Sequence, residues 1–191
     1  MRGCDDGRVT EPVLDPARSA LAESVLEIER HVAEAGWDGP VRVFALVRTQ
    51  EALLTEPGLA AQLEPSVLAA ATAQPWHLTS IEQEELPAAP DLETLLAGLS
   101  WPETVDGMAV TVERVVLPPA AEEAMPQDTS AALDYLLAHP ERQDVRLAVG
   151  ALRGGPSWCA VRMRANDDAE QVGQGPDLVP GLVAAVRSTF D

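Results

Sequence analysis

The sequence predicts an α+β fold: a mainly antiparallel or mixed five-stranded sheet with helices packed on one side of it, ending in a β-hairpin and a C-terminal helix. Three observations predict it. Helical and alternating apolar periodicities interleave in the order α-β-α-α-β-α-β-α-β-β-α. The last two strands flank Gly154-Gly155-Pro156, the strongest hairpin signal in the chain. No Gly-rich turn leads from a strand into a helix, which is the usual signature of the doubly wound alternative. With 191 residues, 46% of them apolar, the chain can bury a core, and one domain over residues 14–191 behind a disordered tail, 1–13, is expected.

Each element has a local cause. Asp15-Pro16 caps a first helix whose inner stripe is Leu21, Val25, Ile28 and Val32, with Glu23, Glu27, Glu29, Arg30 and Glu34 on the other faces and Gly36 as a left-handed stop. Val41 to Val47 is β-rich and forms the first strand. Thr49 starts a short helix, Pro57 a second run that Pro65 breaks or bends, and Trp76 to Leu86 is an edge strand guarded by Glu82, Glu84 and Glu85. Asp91 caps a helix with Leu92, Leu95, Leu96 and Leu99 inward.

Met108 to Leu117 is a clear strand, with a bulge expected where the alternation breaks at Glu113-Arg114. After an irregular Pro-rich connection, Asp128 caps a helix through Leu133, Leu136 and Leu137 that must end before Pro140. Asp144–Arg153 and Ser157–Arg164 form the hairpin and pair with the Met108–Leu117 strand. Asn166 to Gln174 is an acidic loop, and Asp177 caps a terminal helix burying Leu178, Leu182, Val183, Val186 and Phe190.

Charge excludes more than it identifies. The net charge is −18, and residues 49–113 hold eleven carboxylates and no basic side chain. All thirteen basic residues are Arg, which removes Schiff-base chemistry and the phosphate-loop lysine. Nucleic acid and anionic membrane are disfavoured as partners because both need clustered cations. Residues 1–13 carry Arg2, Asp5, Asp6 and Arg8 with no apolar run, so no secretion signal is expected and the cytoplasm is the expected location.

No catalytic residue, metal site or cofactor is expected. His31, beside Glu27 and Glu34, His77 and His139 are too scattered for a zinc site, and Cys159 alternates inward as a small apolar residue. One constellation remains. Strand alternation places Arg146, Arg162 and Arg164 on the hairpin's second face, with Glu113 or Arg114 on the adjoining strand and Trp158 toward the turn. Guanidinium forks beside an aromatic suit a small anion, whereas Glu–Arg pairing across a solvated face is the competing outcome.

The phrases Ala35-Gly36-Trp37-Asp38, Phe44-Ala45-Leu46-Val47-Arg48-Thr49, Trp101-Pro102-Glu103-Thr104-Val105-Asp106-Gly107, His139-Pro140-Glu141-Arg142 and Gly175-Pro176-Asp177-Leu178-Val179-Pro180-Gly181-Leu182 give the chain a wider likeness. Together they resemble a family of uncharacterised acidic proteins from actinobacteria, over nearly the whole chain after Leu14. The resemblance implies a soluble cytoplasmic protein of one domain and transfers no catalytic residue. The expected function is a non-enzymatic binding or adaptor protein whose acidic surface either meets a basic protein partner or serves only solubility, with the apolar end of the hairpin as a candidate contact. The alternative is a binder of, or enzyme acting on, a small anionic molecule held by the arginine face.

Overall fold

The structure is a computed structural model that describes residues 15–191, so the expected tail, 1–13, and Cys4 lie outside the described residues. Its helices are α1 (Pro16–Glu34), α2 (Thr49–Thr55), α3 (Pro65–Ala73), α4 (Leu92–Ala97), α5 (Pro119–Glu123), α6 (Thr129–Ala138) and α7 (Pro180–Ser188). Its strands are β1 (Arg42–Arg48), β2 (Leu78–Glu82), β3 (Gly107–Val116), β4 (Gln143–Leu152), β5 (Ser157–Met163) and β6 (Gly173–Gly175). They form one six-stranded sheet in the order β2-β1-β3-β4-β5-β6, antiparallel throughout.

The β4–β5 hairpin and its pairing with β3 stand as expected. The sixth strand is a correction. Gly173–Gly175 carries no alternating pattern, and it joins the sheet through its backbone, opposite Cys159–Val161. The bulge is also absent: pairing runs unbroken from Gly107↔Leu152 to Val116↔Gln143, and Val115 and Val116 are both half-buried because the strand ends there. Pro65 opens α3 instead of breaking a longer helix, since the first turn needs no N–H from it. The Asp177 cap is not formed either; α7 starts at Pro180, and Leu178 is half exposed.

Helices cover both faces of the sheet, not one. α4 and α7 lie over Val43, Met108, Val110, Val149, Ala151 and Cys159. On the other face α1 lays Leu21, Val25, Ile28 and Val32 over Phe44, Leu46, Ala109, Ala148 and Ala160. This second face reads as polar in the sequence because its middle is made of small residues, yet those are what admit a helix at close range. A Cβ on Gly150 would stand 2.7 Å from Val25 Cγ2 and 3.2 Å from Leu21 Cδ1. Gly36, at φ 83°, then ends α1 in the left-handed conformation that a bulkier residue resists.

Outside this body, packing is thin. Between residues 49 and 75 only Thr49 and Ala71 are buried. α6 is capped as expected, Asp128 Oδ1 accepting from the Ala131 amide at 2.9 Å, yet no residue along it is buried. Among the described residues no helix is long and apolar enough to cross a membrane.

Candidate functional site

Alternation along β4 and β5 points Arg146 and Arg162, which are cross-strand partners, toward α1, and Glu113 on β3 lies opposite Arg146. Helical spacing brings in a residue assigned above to an outer face. Glu29 follows Val25 by four and precedes Val32 by three, so it belongs to the inner stripe, and it is 1% exposed. Both its oxygens accept from Arg162, from Nε at 2.6 Å and from Nη2 at 2.7 Å. A buried ion pair in this bidentate geometry is strongly directional.

Arg146 stands one strand over and is 1% exposed. Its Nη2 donates to Glu113 Oε1 at 2.9 Å and to the Gly36 carbonyl, while Nη1 lies 4.0 Å from Glu29 Oε1. The guanidinium lies over the Trp37 ring, 4.4 Å from its centroid. Trp37 Nε1 donates to Asp167 Oδ2 at 2.9 Å, and Asp167 Oδ1 accepts from Arg162 Nη1 at 3.2 Å. Further out, Arg164 donates from Nη1 and Nη2 to the two Asp38 oxygens at 2.7 and 2.8 Å, and the Asp38 amide donates to Glu113 Oε2 at 2.7 Å.

These contacts set the local electrostatics. The hydrogen bonds that Arg162 donates to Glu29 raise its pKa above the usual guanidinium range, outweighing its burial. The Trp37 indole N–H, then Arg162, hold the Asp167 carboxyl below its ordinary value. The Arg164 fork does the same for Asp38.

The structure thus gathers Glu113, Arg146, Arg162 and Arg164, but the face is covered by α1 and its guanidiniums meet the protein's own carboxylates. Trp158 is not with them. It sits four residues along β5 from Arg162, buried with Leu152 under the first turns of α1, so the apolar end of the hairpin offers no exposed contact. Trp37 supplies the aromatic instead. Its position directly after the Gly36 stop was the available signal; Asp38 and Asp167 had none beyond their charge.

The other candidates have structural partners. His31 faces Arg42 and Glu82 instead of Glu27 and Glu34. His77 Nδ1 meets Thr49 Oγ1 at 2.8 Å, and His139 Nδ1 accepts from the Glu141 amide. Burial pushes the Cys159 thiol pKa up, which suits packing and not nucleophilic attack. Among the described residues no group of three or more His, Cys, Asp and Glu side chains is arranged to hold a metal ion.

An open depression of about 650 Å³ lies beside α1 and the 167 loop, lined by Glu27, Arg30, His31, Glu34, Arg162 and Asp167. A cavity of about 270 Å³ opens where the end of α1 and the 36–40 turn meet β3 and β4, with Thr111 and Arg146 in its wall. A cleft of about 410 Å³ lies between α2 and the 103–106 loop, lined by Arg48, Glu51, Glu56, Glu103 and Asp106.

The sequence model of a family described as PPA1309-like protein matches residues 21–191. The chain belongs to that family. The PPA1309-like span takes in every residue of the cluster, from Glu29 to Asp167. Comparison with curated proteins and with solved structures finds no match.

Proposed function

We propose that this protein is a non-catalytic binding module that presents an acidic, partly apolar surface to a basic partner protein. The observation that carries the reading is α6, an apolar helix of ten residues with none buried. A helix this short is marginal in water and is normally held by packing one face. Leu133 and Leu137, one turn apart, are 54% and 50% exposed. Around them, residues 119–142 carry Glu122, Glu123, Asp128, Asp134 and Glu141 against one Arg, Arg142, whose Nη1 donates to the Leu137 carbonyl at 3.0 Å.

The charge selects the occupant. A second copy would set these five carboxylates against five more, and −18 against −18. A partner with an apolar groove and a basic rim fits both features, in the manner of an amphipathic helix lying in a groove. The arginines support this direction, because Arg42, Arg48, Arg153, Arg162, Arg164 and Arg187 all donate to acceptors within the protein. The same charge argues against nucleic acid as the partner. The anionic-ligand reading is the weaker one, since Glu29, Glu113, Asp38 and Asp167 hold the guanidiniums it would use.

A photo-crosslinking residue at Leu137, with the same residue at Leu178 as control, identifies the partner, which is then purified and titrated. Binding should weaken at least tenfold in Leu133→Asp/Leu137→Asp and fall with added salt. A purified partner that binds the double variant equally well, or that is itself acidic, refutes the proposal.

A further inference from the structure

β2 lies at one end of the sheet, and its outer edge is open. The Thr49 amide donates to the His77 carbonyl at 3.0 Å and the Gln83 amide to the Val43 carbonyl at 2.8 Å, with Thr79 and Ile81 paired to Val47 and Ala45 between them. In an antiparallel ladder the intervening residues turn their N–H and C=O groups the other way. Ser80 and Glu82 therefore present two donors and two acceptors outward, and no hydrogen bond among the described residues takes them up. Side chains alternate across the same edge. Phe44 and Leu46 face α1, so their partners Glu82 and Ser80 lie on that side, while Ile81 lies on the other and is 50% exposed. On the α1 side a second cavity of about 270 Å³ lies between helix and strand, lined by Glu27, Ile28, His31, Phe44, Ser80 and Glu82.

We infer that the β2 edge takes up an extended, basic segment of a partner protein as a seventh strand, antiparallel like every other pairing in the sheet. Its main chain bonds to Ser80 and Glu82. Alternate side chains fall on the α1 side, where one passes over the small Ser80 into the cavity, and those between lie beside Ile81. A free edge with a pocket for alternate side chains is the arrangement by which folded domains capture extended peptides. Charge selects a basic strand. Glu27 is exposed and makes no ion pair among the described residues, Glu84 and Glu85 follow the strand, and residues 49–113 hold no basic side chain. Arg42 is held by Glu82 through two hydrogen bonds of 2.5 and 2.6 Å, so a cation entering the cavity meets Glu27. The same acids disfavour a second copy, since pairing two β2 edges would bring both acidic sets together. Exposed ion pairs add little energy, so the main-chain bonds supply the affinity and the carboxylates the choice of partner. This surface is built from β2 and α1 and does not depend on the α6 reading above.

The test uses the full chain and the end-capped pentapeptide Val-Lys-Val-Lys-Val, followed by nitrogen–proton NMR. The Ser80 and Glu82 amide resonances should shift saturably as their N–H groups gain acceptors. The same peptide with Glu for Lys should bind at least tenfold more weakly. So should the lysine peptide N-methylated at its two lysine backbone nitrogens, which keeps its charge and loses the donors that face β2. Ser80→Pro removes an outward donor and no bond to β1, so it should melt close to the parent and lose the peptide. If that variant fails to fold, the N-methylated peptide makes the same measurement on the unaltered protein. Glu27→Gln should weaken the lysine peptide at least twofold. Leu133→Asp/Leu137→Asp should bind it like the parent, so this inference and the α6 proposal fail separately. No saturable shift at Ser80 and Glu82 would overturn the inference. So would equal binding of the N-methylated or the glutamate peptide, or dimerisation of the parent that Ser80→Pro abolishes.

Discussion

The two faces of the sheet are held by different physics. Under α4 and α7, Val43, Met108, Val110, Val149 and Cys159 are all fully buried and all apolar. That face is stabilised in proportion to the apolar area it buries. Under α1 an apolar patch of comparable kind gives way, at the end nearest Gly36, to Glu29, Arg146 and Arg162, each under 5% exposed. Here position matters more than area, because Glu29 meets the Arg162 fork at only one rotation and one height of the helix. The apolar face supplies adhesion, and the charged corner sets the register of α1.

The largest effect expected is at that corner. Glu29→Ala leaves two buried guanidiniums short of a counter-charge and should destabilise by about 3–5 kcal/mol in urea unfolding. Glu29→Met combined with Arg162→Met should be more stable than the single variant, since it removes the unmatched charge as well as the pair. A double variant as unstable as the single would show that lost packing, and not stranded charge, dominates this corner.

On the apolar face, Met108→Ala should cost about 3 kcal/mol by leaving a cavity, and the loss should be insensitive to salt. Smaller again is Gly150→Ala, at about 1–3 kcal/mol, because its new methyl meets Val25. If α1 is positioned as described, the cost of Gly150→Ala with Val25→Ala falls short of the sum of the two singles. Additive costs would place the strain elsewhere.

The smallest effect is acid sensitivity. Asp167, through Trp37 and Arg162, and Glu82, through Arg42, both have carboxyl pKa values below their ordinary ones. A depressed folded pKa stabilises above the unfolded value, and that stability drains as pH falls through about 4 toward the folded value. Melting temperature measured from pH 7 to pH 3 should therefore fall less steeply in Asp167→Asn than in the parent. An identical slope would detach Asp167 from the cluster's stability.

Much of the frame was legible because it rests on local signals: Asp91 and Asp128 cap their helices, and Gly154 turns the hairpin. What escaped was decided by distant partners. Ala148, Gly150 and Ala160 look like an indifferent strand face until α1 is known to press on them. Glu29 looks like one more surface acid among 31 until its helical position is compared with Val25 and Val32. β6 has no side-chain pattern to read. The arginines were legible as a group, but the carboxylates that occupy them come from α1, the turn after it, β3 and the 167 loop, and no spacing links those segments.

The Glu29–Arg162 contact joins residues 133 positions apart. During synthesis α1 is made before every strand it packs on: β1, which carries Phe44 and Leu46, follows directly, whereas β5 is the last long strand. Phe44 and Leu46 are at hand for its apolar stripe as soon as β1 exists, but the Glu29 pair closes only when β5 is in place. The first helix and the last long strand act as the two halves of a clasp, so a chain that stops short of Arg162 lacks the contact that fixes the register of α1.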